Sequence, residues 1–147
     1  MQAHIKNDML YLLRILEACQ KLQLYTANFS NFEEFYFSNN QLEFNACLSQ
    51  LVQIGEQAKK LSSTLTEKYH QISWPTIRGF RNRIIHEYIG IDTENVFLII
   101  QNDVPALSNQ IIPIISEELK NGNFDLEELK IAKTSSYLKH VDFAVFG

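Results

Sequence analysis

Residues 81–88 read Arg-Asn-Arg-Ile-Ile-His-Glu-Tyr, and three of the chain's four arginines (Arg78, Arg81 and Arg83) crowd into the few positions before His86. A guanidinium is a permanently charged planar fork suited to anions, and an imidazole exchanges a proton near neutral pH. Anion binding with proton transfer is therefore the chemistry these residue types offer. On an ideal helix of about 100° per residue, Arg78, Asn82 and His86 form one i, i+4, i+8 ridge. Ile77, Phe80, Ile84 and Ile85 form the apolar stripe beside it. Arg81 falls in the middle of that stripe, and Tyr88, seven residues on, comes almost directly above it. A guanidinium set where the core faces needs a counter-charge, a partner subunit or an anionic ligand, because an unpaired buried charge is costly. Such a conflict between pattern and charge is where a functional site is sought.

The same residues also have structural readings. Arg81 can form an ion pair with Glu56 on a neighbouring helix, and His86 can be favoured by the dipole at a helix end. Tyr88 can be a half-buried aromatic that closes the helix. Three arginines beside a histidine can equally bind a nucleotide without reacting on it. Spacing alone leaves these open.

Composition narrows the classes. A chain of 147 residues, 46% hydrophobic and 20% charged, reads as one globular domain able to bury a core. The net charge of −4 argues against a nucleic-acid coat that neutralises many phosphates, yet leaves room for a local anion site. Cys19 and Cys47 have neither zinc-finger nor disulfide-framework spacing and are expected to be buried free thiols. No signal peptide is expected, since Met1 to Asp8 is polar and the apolar residues after it are interrupted by Arg14 and Glu17. No apolar run reaches the roughly 18 residues of a membrane span. The expected setting is reducing and cytoplasmic, with no metal and no cofactor.

Periodicity is helical nearly throughout. Ile5, Met9, Leu12, Leu13, Leu16, Cys19 and Leu22 predict a helix from Ile5 to Tyr25. Ser30 with Glu33 reads as a capping box for a short helix carrying Phe32, Phe35 and Tyr36. Asn39-Asn40 marks a break. A long helix is expected from Leu42 to Tyr69, with Gly55 explained by close approach of a neighbour. Ser73-Trp74-Pro75 starts the helix that carries the motif. Asp92 caps a helix from Thr93 to about Leu119, kinked at Pro105, where Asn102 or Asp103 can take up freed backbone groups. Asn121-Gly122-Asn123 ends it. The tail shows one short helix, Leu126 to Lys133. The expected fold is all-α, an up-and-down antiparallel bundle of four to five helices, with residues 1–120 as the bundle and 121–147 as a C-terminal extension.

Beyond its residue types, the segment Arg81-Asn82-x-x-x-His86-x-Tyr88 resembles the RX4HXY signature of the HEPN superfamily, in its HepT-like ribonuclease branch. Leu51-Val52-Gln53-Ile54-Gly55-Glu56 is similar to that family's IGEA helix, with Gln57 where Ala is usual. Ile72-Ser73-Trp74-Pro75, Gly79-Phe80, Ile91-Asp92 and Val104-Pro105-Ala106-Leu107 resemble the flanking stretches, so the likeness covers roughly residues 4–119. Glu87 stands where Asp is frequent. The resemblance implies a HEPN-like bundle that dimerises and cuts RNA (tRNA or mRNA) without metal, as the toxin of a type VII-like toxin–antitoxin pair. The antitoxin would be a minimal nucleotidyltransferase that attaches AMP to Tyr88.

The roles carried over are His86 as acid/base and Arg81 as phosphate clamp, with Arg78, Asn82 and Arg83 supporting RNA contacts. RNA supplies its own nucleophile in the 2′-hydroxyl, so cleavage needs proton transfer and stabilisation of a negative phosphorane rather than a metal-bound water. Arg81 and His86 are about 140° apart around a straight helix and do not share a face. A two-fold dimer would bring six arginines and two histidines around one groove. AMP on Tyr88 would place a phosphate beside the arginines and block them. The alternative function is a non-catalytic HEPN module that binds nucleotide or docks a nucleotidyltransferase; the blandest is a dimeric helical scaffold.

Overall fold

The computed structural model describes residues 3–86 and 92–146, and for 3–6, 81 and 83–86 the backbone alone. Helix α1 (Ala3–Thr26) buries Met9, Leu12, Leu13, Leu16, Cys19 and Leu22, the stripe its period requires. In the short α2 (Phe32–Phe37) the cap is Asn31, which accepts the Glu34 N–H at 2.9 Å. The Glu34 carboxylate reaches back to the Ser30 N–H at 3.3 Å. The expected Ser30–Glu33 box is thus displaced by one residue, because Asn caps as well as Ser. The break at Asn39-Asn40 is a left-handed turn: Asn39, Asn40 and Gln41 have φ of 47°, 56° and 68°. Asn tolerates that conformation best among residues with a side chain.

Helix α3 (Leu42–Lys60) is shorter than expected. Ser62 leaves helical geometry and caps a separate α4 (Ser63–Lys68). The cause lies on α1, where the buried Asp8 carboxylate accepts the Ser62 N–H at 2.9 Å and its hydroxyl at 2.5 Å. The Ser62 hydroxyl oxygen then accepts the Leu65 N–H at 3.2 Å. Leu61 and Leu65 stay buried across the break, so the apolar period survives it.

Helix α5 (Trp74–His86) follows, then α6 (Thr93–Leu98), capped as expected by Asp92, which accepts the Asn95 N–H at 3.1 Å. The chain runs through a wide π turn (Ile99–Asp103) into α7 (Val104–Lys120). Pro105 has no N–H to donate, and the π turn absorbs that loss just upstream. There the Val104 N–H reaches back to the Ile99 carbonyl, and the Asn102 amide donates to the Leu98 carbonyl at 3.0 Å. Gly122, with φ of 77°, ends α7. Its N–H bonds the Leu119 carbonyl, and the Asn123 N–H bonds the Glu118 carbonyl, the paired closure of a Schellman motif.

The tail folds back. Helix α8 (Leu126–Ala132) and two 3-10 turns (Ser136–Leu138 and Phe143–Phe146) bring Phe124, Leu129, Leu138 and Val141 into the same core as the bundle. The buried Glu17 carboxylate of α1 accepts the His140 backbone N–H at 2.6 Å and pairs with its Nδ1 at 2.7 Å. Helix α1 packs against α3 and α7, and α3 against α5. Asp8, early in α1, meets Ser62 just past the end of α3, so the two run antiparallel. Arg78 in α5 meets Ala58 near the end of α3, and that pair is antiparallel too. The fold is the expected all-α bundle, with short α2, α4 and α8 added to the long helices. Gly55 is buried on α3, the helix flanked by α1 and α5.

Candidate active site

The motif helix begins at an anchored point. Trp74 is buried, and its indole N–H donates to the Tyr69 carbonyl at 3.1 Å. Pro75 occupies the first turn, where a missing N–H costs nothing. Tyr69 is fixed in turn by α7: its hydroxyl lies 2.7 Å from both the Glu117 and the Glu118 carboxylates. The buried Glu118 also takes Lys68 Nζ at 2.7 Å and the Asn123 amide at 3.0 Å. Burial pushes the Glu118 carboxyl up, but the hydrogen bonds from Lys68, Tyr69 and Asn123 outweigh it and hold the group below the ordinary carboxylate range. The hydrogen bond to Glu118 raises the Lys68 ammonium, and burial together with both carboxylates raises the Tyr69 phenol. This clasp of α4 to the end of α7 has no periodic signature in sequence, which is why reading along the chain misses it.

From that anchor, α5 carries Arg78, Arg81, Asn82, Arg83 and His86 on one uninterrupted helix. Trp74 and Ile77 are buried, and Arg81 takes the next position of that row by register, as the stripe requires. Arg78, Asn82 and His86 occupy the adjoining row. Arg78 is half-buried, and its Nε donates to the Ala58 carbonyl near the end of α3 at 3.4 Å. That long bond uses one of five guanidinium donors. Asn82 is exposed. Tyr88 and Glu87 lie outside the described residues, as does the side chain of Arg81, and with it the Arg81–Glu56 pair that would be the structural alternative. Register separates Arg81 from His86 by about 140° around the helix, and the side chains of Arg83 and His86 also lie outside the described residues.

Two further features surround the helix. A groove of about 400 Å3 runs between α5 and the α6–α7 arm, with Ile77, Phe80, Ile99 and Leu107 as floor and Thr76 and Asp103 on its rim. Among the described residues its only charge is a carboxylate, so it does not suit phosphate. The row through Thr76 and Phe80 reaches Arg83 by register. Gly79, one position after Arg78, has no atom of the described residues outside its own helix backbone within 4 Å of where a Cβ would sit. Among the described residues nothing therefore requires glycine there, although it costs a helix about 1 kcal/mol.

No helix among the described residues is long and apolar enough to cross a membrane. No solved structure gives a significant match to the chain. Among curated proteins, it is 30% identical over 118 residues (80% of this chain) to a Methanocaldococcus jannaschii protein named "Gamma-glutamylcyclotransferase and putative RNase", and spans 52% of that protein's length. It is 31% identical to a "Putative RNase" of Caldanaerobacter subterraneus subsp. tengcongensis over 114 residues, 78% of this chain and 99% of that one. It is 27% identical to a "Probable ribonuclease HepT" of Thermococcus cleftensis over 100 residues, 68% of this chain and 88% of that one. The family described as "Ribonuclease HepT-like" matches residues 15–114, which takes in α5 whole and α3, against which it packs. The chain belongs to the HepT-like ribonuclease family of the HEPN superfamily.

Proposed function

We propose that this protein is an RNA endonuclease, active as a homodimer in the cytoplasm, whose site is built from two copies of α5. The observation that carries the reading is the placement of Arg81 and His86 on one continuous helix with an anchored start, inside the matched family region. The angular separation of Arg81 and His86 supports the dimer, because a second copy supplies the group that the first directs elsewhere. Unexplained space over Gly79 supports close approach of another backbone, from the partner or the RNA. Crowding of Arg78, Arg81 and Arg83 on one helix answers how a chain of net charge −4 holds a polyanion.

Cleavage is an internal transesterification. The ribose 2′-oxygen bonds to the adjacent phosphorus, and the phosphorus–5′-oxygen bond breaks. One imidazole takes the 2′ proton, and the other gives a proton to the leaving 5′-oxygen. The products are a 2′,3′-cyclic phosphate and a 5′-hydroxyl. Arg81 holds the charge that grows on the phosphorane oxygens. Arg78, Arg83 and Asn82 position the strand. No metal is required, since the nucleophile comes from the RNA.

The paired antitoxin would be a minimal nucleotidyltransferase. The Tyr88 oxygen attacks the α-phosphorus of ATP, pyrophosphate leaves, and the phenol proton passes to a base. The adduct sets a phosphate among the arginines and closes the groove. The deciding experiment compares wild type with His86→Ala for growth arrest and for RNA cleavage in EDTA. Loss of both in His86→Ala, with wild-type cleavage surviving EDTA, is expected. Toxicity that survives the substitution overturns the catalytic reading. RNA or nucleotide bound but left uncut by wild type supports the non-catalytic module instead.

A further inference from the structure

Away from α5, a second groove of about 360 Å3 lies between α1, α3 and the Ser136–Leu138 turn, lined by Arg14, Lys21, Ser49, Gln50, Gln53 and Tyr137. Its electrostatics are unbalanced. Among the described residues Glu17 is the one carboxylate in its wall, and it is already engaged by the His140 N–H at 2.6 Å, by His140 Nδ1 at 2.7 Å and by Lys21 at 3.6 Å. Arg14 is half-buried and, among the described residues, has neither an ion pair nor a hydrogen bond. A guanidinium part-way out of water with all its donors unspent is a site for a planar anion. At the other wall, the Tyr137 ring is 81% exposed. Its backbone is not loose: Leu138 is buried, the Ser135 hydroxyl oxygen accepts the Tyr137 N–H at 3.2 Å, and the His140–Glu17 pair ties the segment to α1. An aromatic face held in water on an anchored backbone is a stacking platform. Ser49, Gln50 and Gln53, along the α3 edge, bring donors and acceptors with no partner in the chain among the described residues.

We infer that this groove binds a nucleotide unit, with Arg14 and Lys21 on its phosphate, Tyr137 stacked on its base and the α3 amides on the sugar and base edges. Its volume falls within the range of small-ligand sites. The unit is a free mononucleotide or one residue of an RNA strand. Its described lining comes from α1, α3 and Tyr137 and includes no residue of α5, so this site is separate from the α5 cluster and independent of the cleavage proposal.

The test uses the full chain and two probes that cannot be cut: AMP, and a five-residue oligoadenylate with 2′-O-methyl riboses. Side-chain amide NMR signals of Gln50 and Gln53 report on this groove rather than on α5. Both signals are expected to shift with at least one probe. Tyr137→Ala should weaken that probe's binding about tenfold while Tyr137→Phe retains it, as stacking requires. Arg14→Gln should weaken it to a similar degree and reduce the salt slope by about one unit. The oligonucleotide binding much more tightly than AMP identifies an RNA strand as the source, and equal affinities identify the free nucleotide. The affinities are read from the Gln50 and Gln53 signals, away from α5, so failure here and failure of the cleavage reading are told apart. The inference is overturned if neither probe shifts Gln50 and Gln53, or if Tyr137→Ala binds both probes as wild type does. Tyr137 is a surface ring, so that variant folds and keeps the test decisive.

Discussion

Replacing Tyr69 by Phe removes one oxygen from the clasp that anchors the motif helix, and its consequence can be worked out atom by atom. The ring is 6% exposed and keeps its packing. What is lost is a hydroxyl with a single proton, lying 2.7 Å from both Glu117 and Glu118, so one charge-assisted bond is counted rather than two. Such a bond contributes about 1.5–3 kcal/mol. Glu118 keeps Lys68 and Asn123, and Glu117 is exposed to water, so neither carboxylate is stranded. The lower half of the range applies, about 2 kcal/mol, or about 5 °C in Tm for a chain of this size. Urea unfolding at pH 7, followed by the helical circular dichroism signal, measures it.

The pH dependence gives the sign an independent check. Glu118 titrates below its ordinary value of 4.5, so its contribution is present above that pH and lost as pH falls through the folded value. Tyr69→Phe removes one of the bonds that lower it. The wild-type advantage should therefore be full at pH 7 and shrink as pH falls from 4.5 through the folded value. Lys68, raised above 10.5, sets the alkaline limit, since its contribution is lost as pH rises through the folded value. The Trp74 indole bonds the Tyr69 carbonyl, which the substitution leaves in place, so RNA cleavage below the transition should not change. A loss under about 0.5 kcal/mol at pH 7, or a gap that does not narrow as pH falls, would refute this account of the clasp.

Three other substitutions or probes address different parts of the molecule. Asp8→Ala leaves the Ser62 N–H and hydroxyl without their buried acceptor and should cost about 2–3 kcal/mol, with Asp8→Asn costing less; equal stability of wild type and Asp8→Ala in urea would remove the reason given for the α3–α4 break. Gly79→Ala meets no side chain among the described residues and should raise stability by roughly 0.5–1 kcal/mol while reducing cleavage or dimer formation. A variant that is both more stable and fully active would show that nothing approaches α5 there. Cys19 and Cys47 are buried with thiols pushed up to about 12 by burial, so a thiol reagent at pH 8 should label neither in the native protein and both in urea.

Legibility along the chain depends on the range of the interactions involved. Asp92, Pro105 and Gly122 act within a turn or two of themselves, and their effects on helix starts, breaks and stops could be read directly. The end of α3 could not be read, because the residue that pulls Ser62 out of helical geometry is Asp8, 54 positions earlier. Displacement of the α2 cap by one residue shows the limit from the other side: Ser30 and Asn31 are both good caps, and nothing local ranks them. The tail after Lys133 has too few periodic residues to show that Leu138 and Val141 reach the core, or that His140 pairs with Glu17. The family was legible because the residues that carry its signature, Arg81, His86 and Tyr88, are close in sequence. Arg14 and Tyr137 meet only through the tertiary fold. Along the chain, Arg14 registers as no more than an interruption in the apolar pattern of α1.

Anchoring and catalysis are connected through the rotation of α5 about its own axis. A helix offering Arg81 and His86 about 140° apart serves one phosphate only if a second copy presents the complementary pair at a defined angle. That angle is set where α5 starts, by Trp74 on the Tyr69 carbonyl, and again at Arg78, whose Nε touches the end of α3. Trp74→Phe keeps an aromatic ring in the core but removes the indole donor, so it frees this rotation at the cost of about one neutral hydrogen bond, near 1 kcal/mol. If two copies of α5 form the site, this variant should stay folded and dimeric and should lose kcat well beyond what its stability change explains, since small misplacement of reacting groups is expensive. Unchanged kcat in Trp74→Phe would mean that helix rotation does not set the geometry, and Arg81 and His86 would then have to act from one protomer.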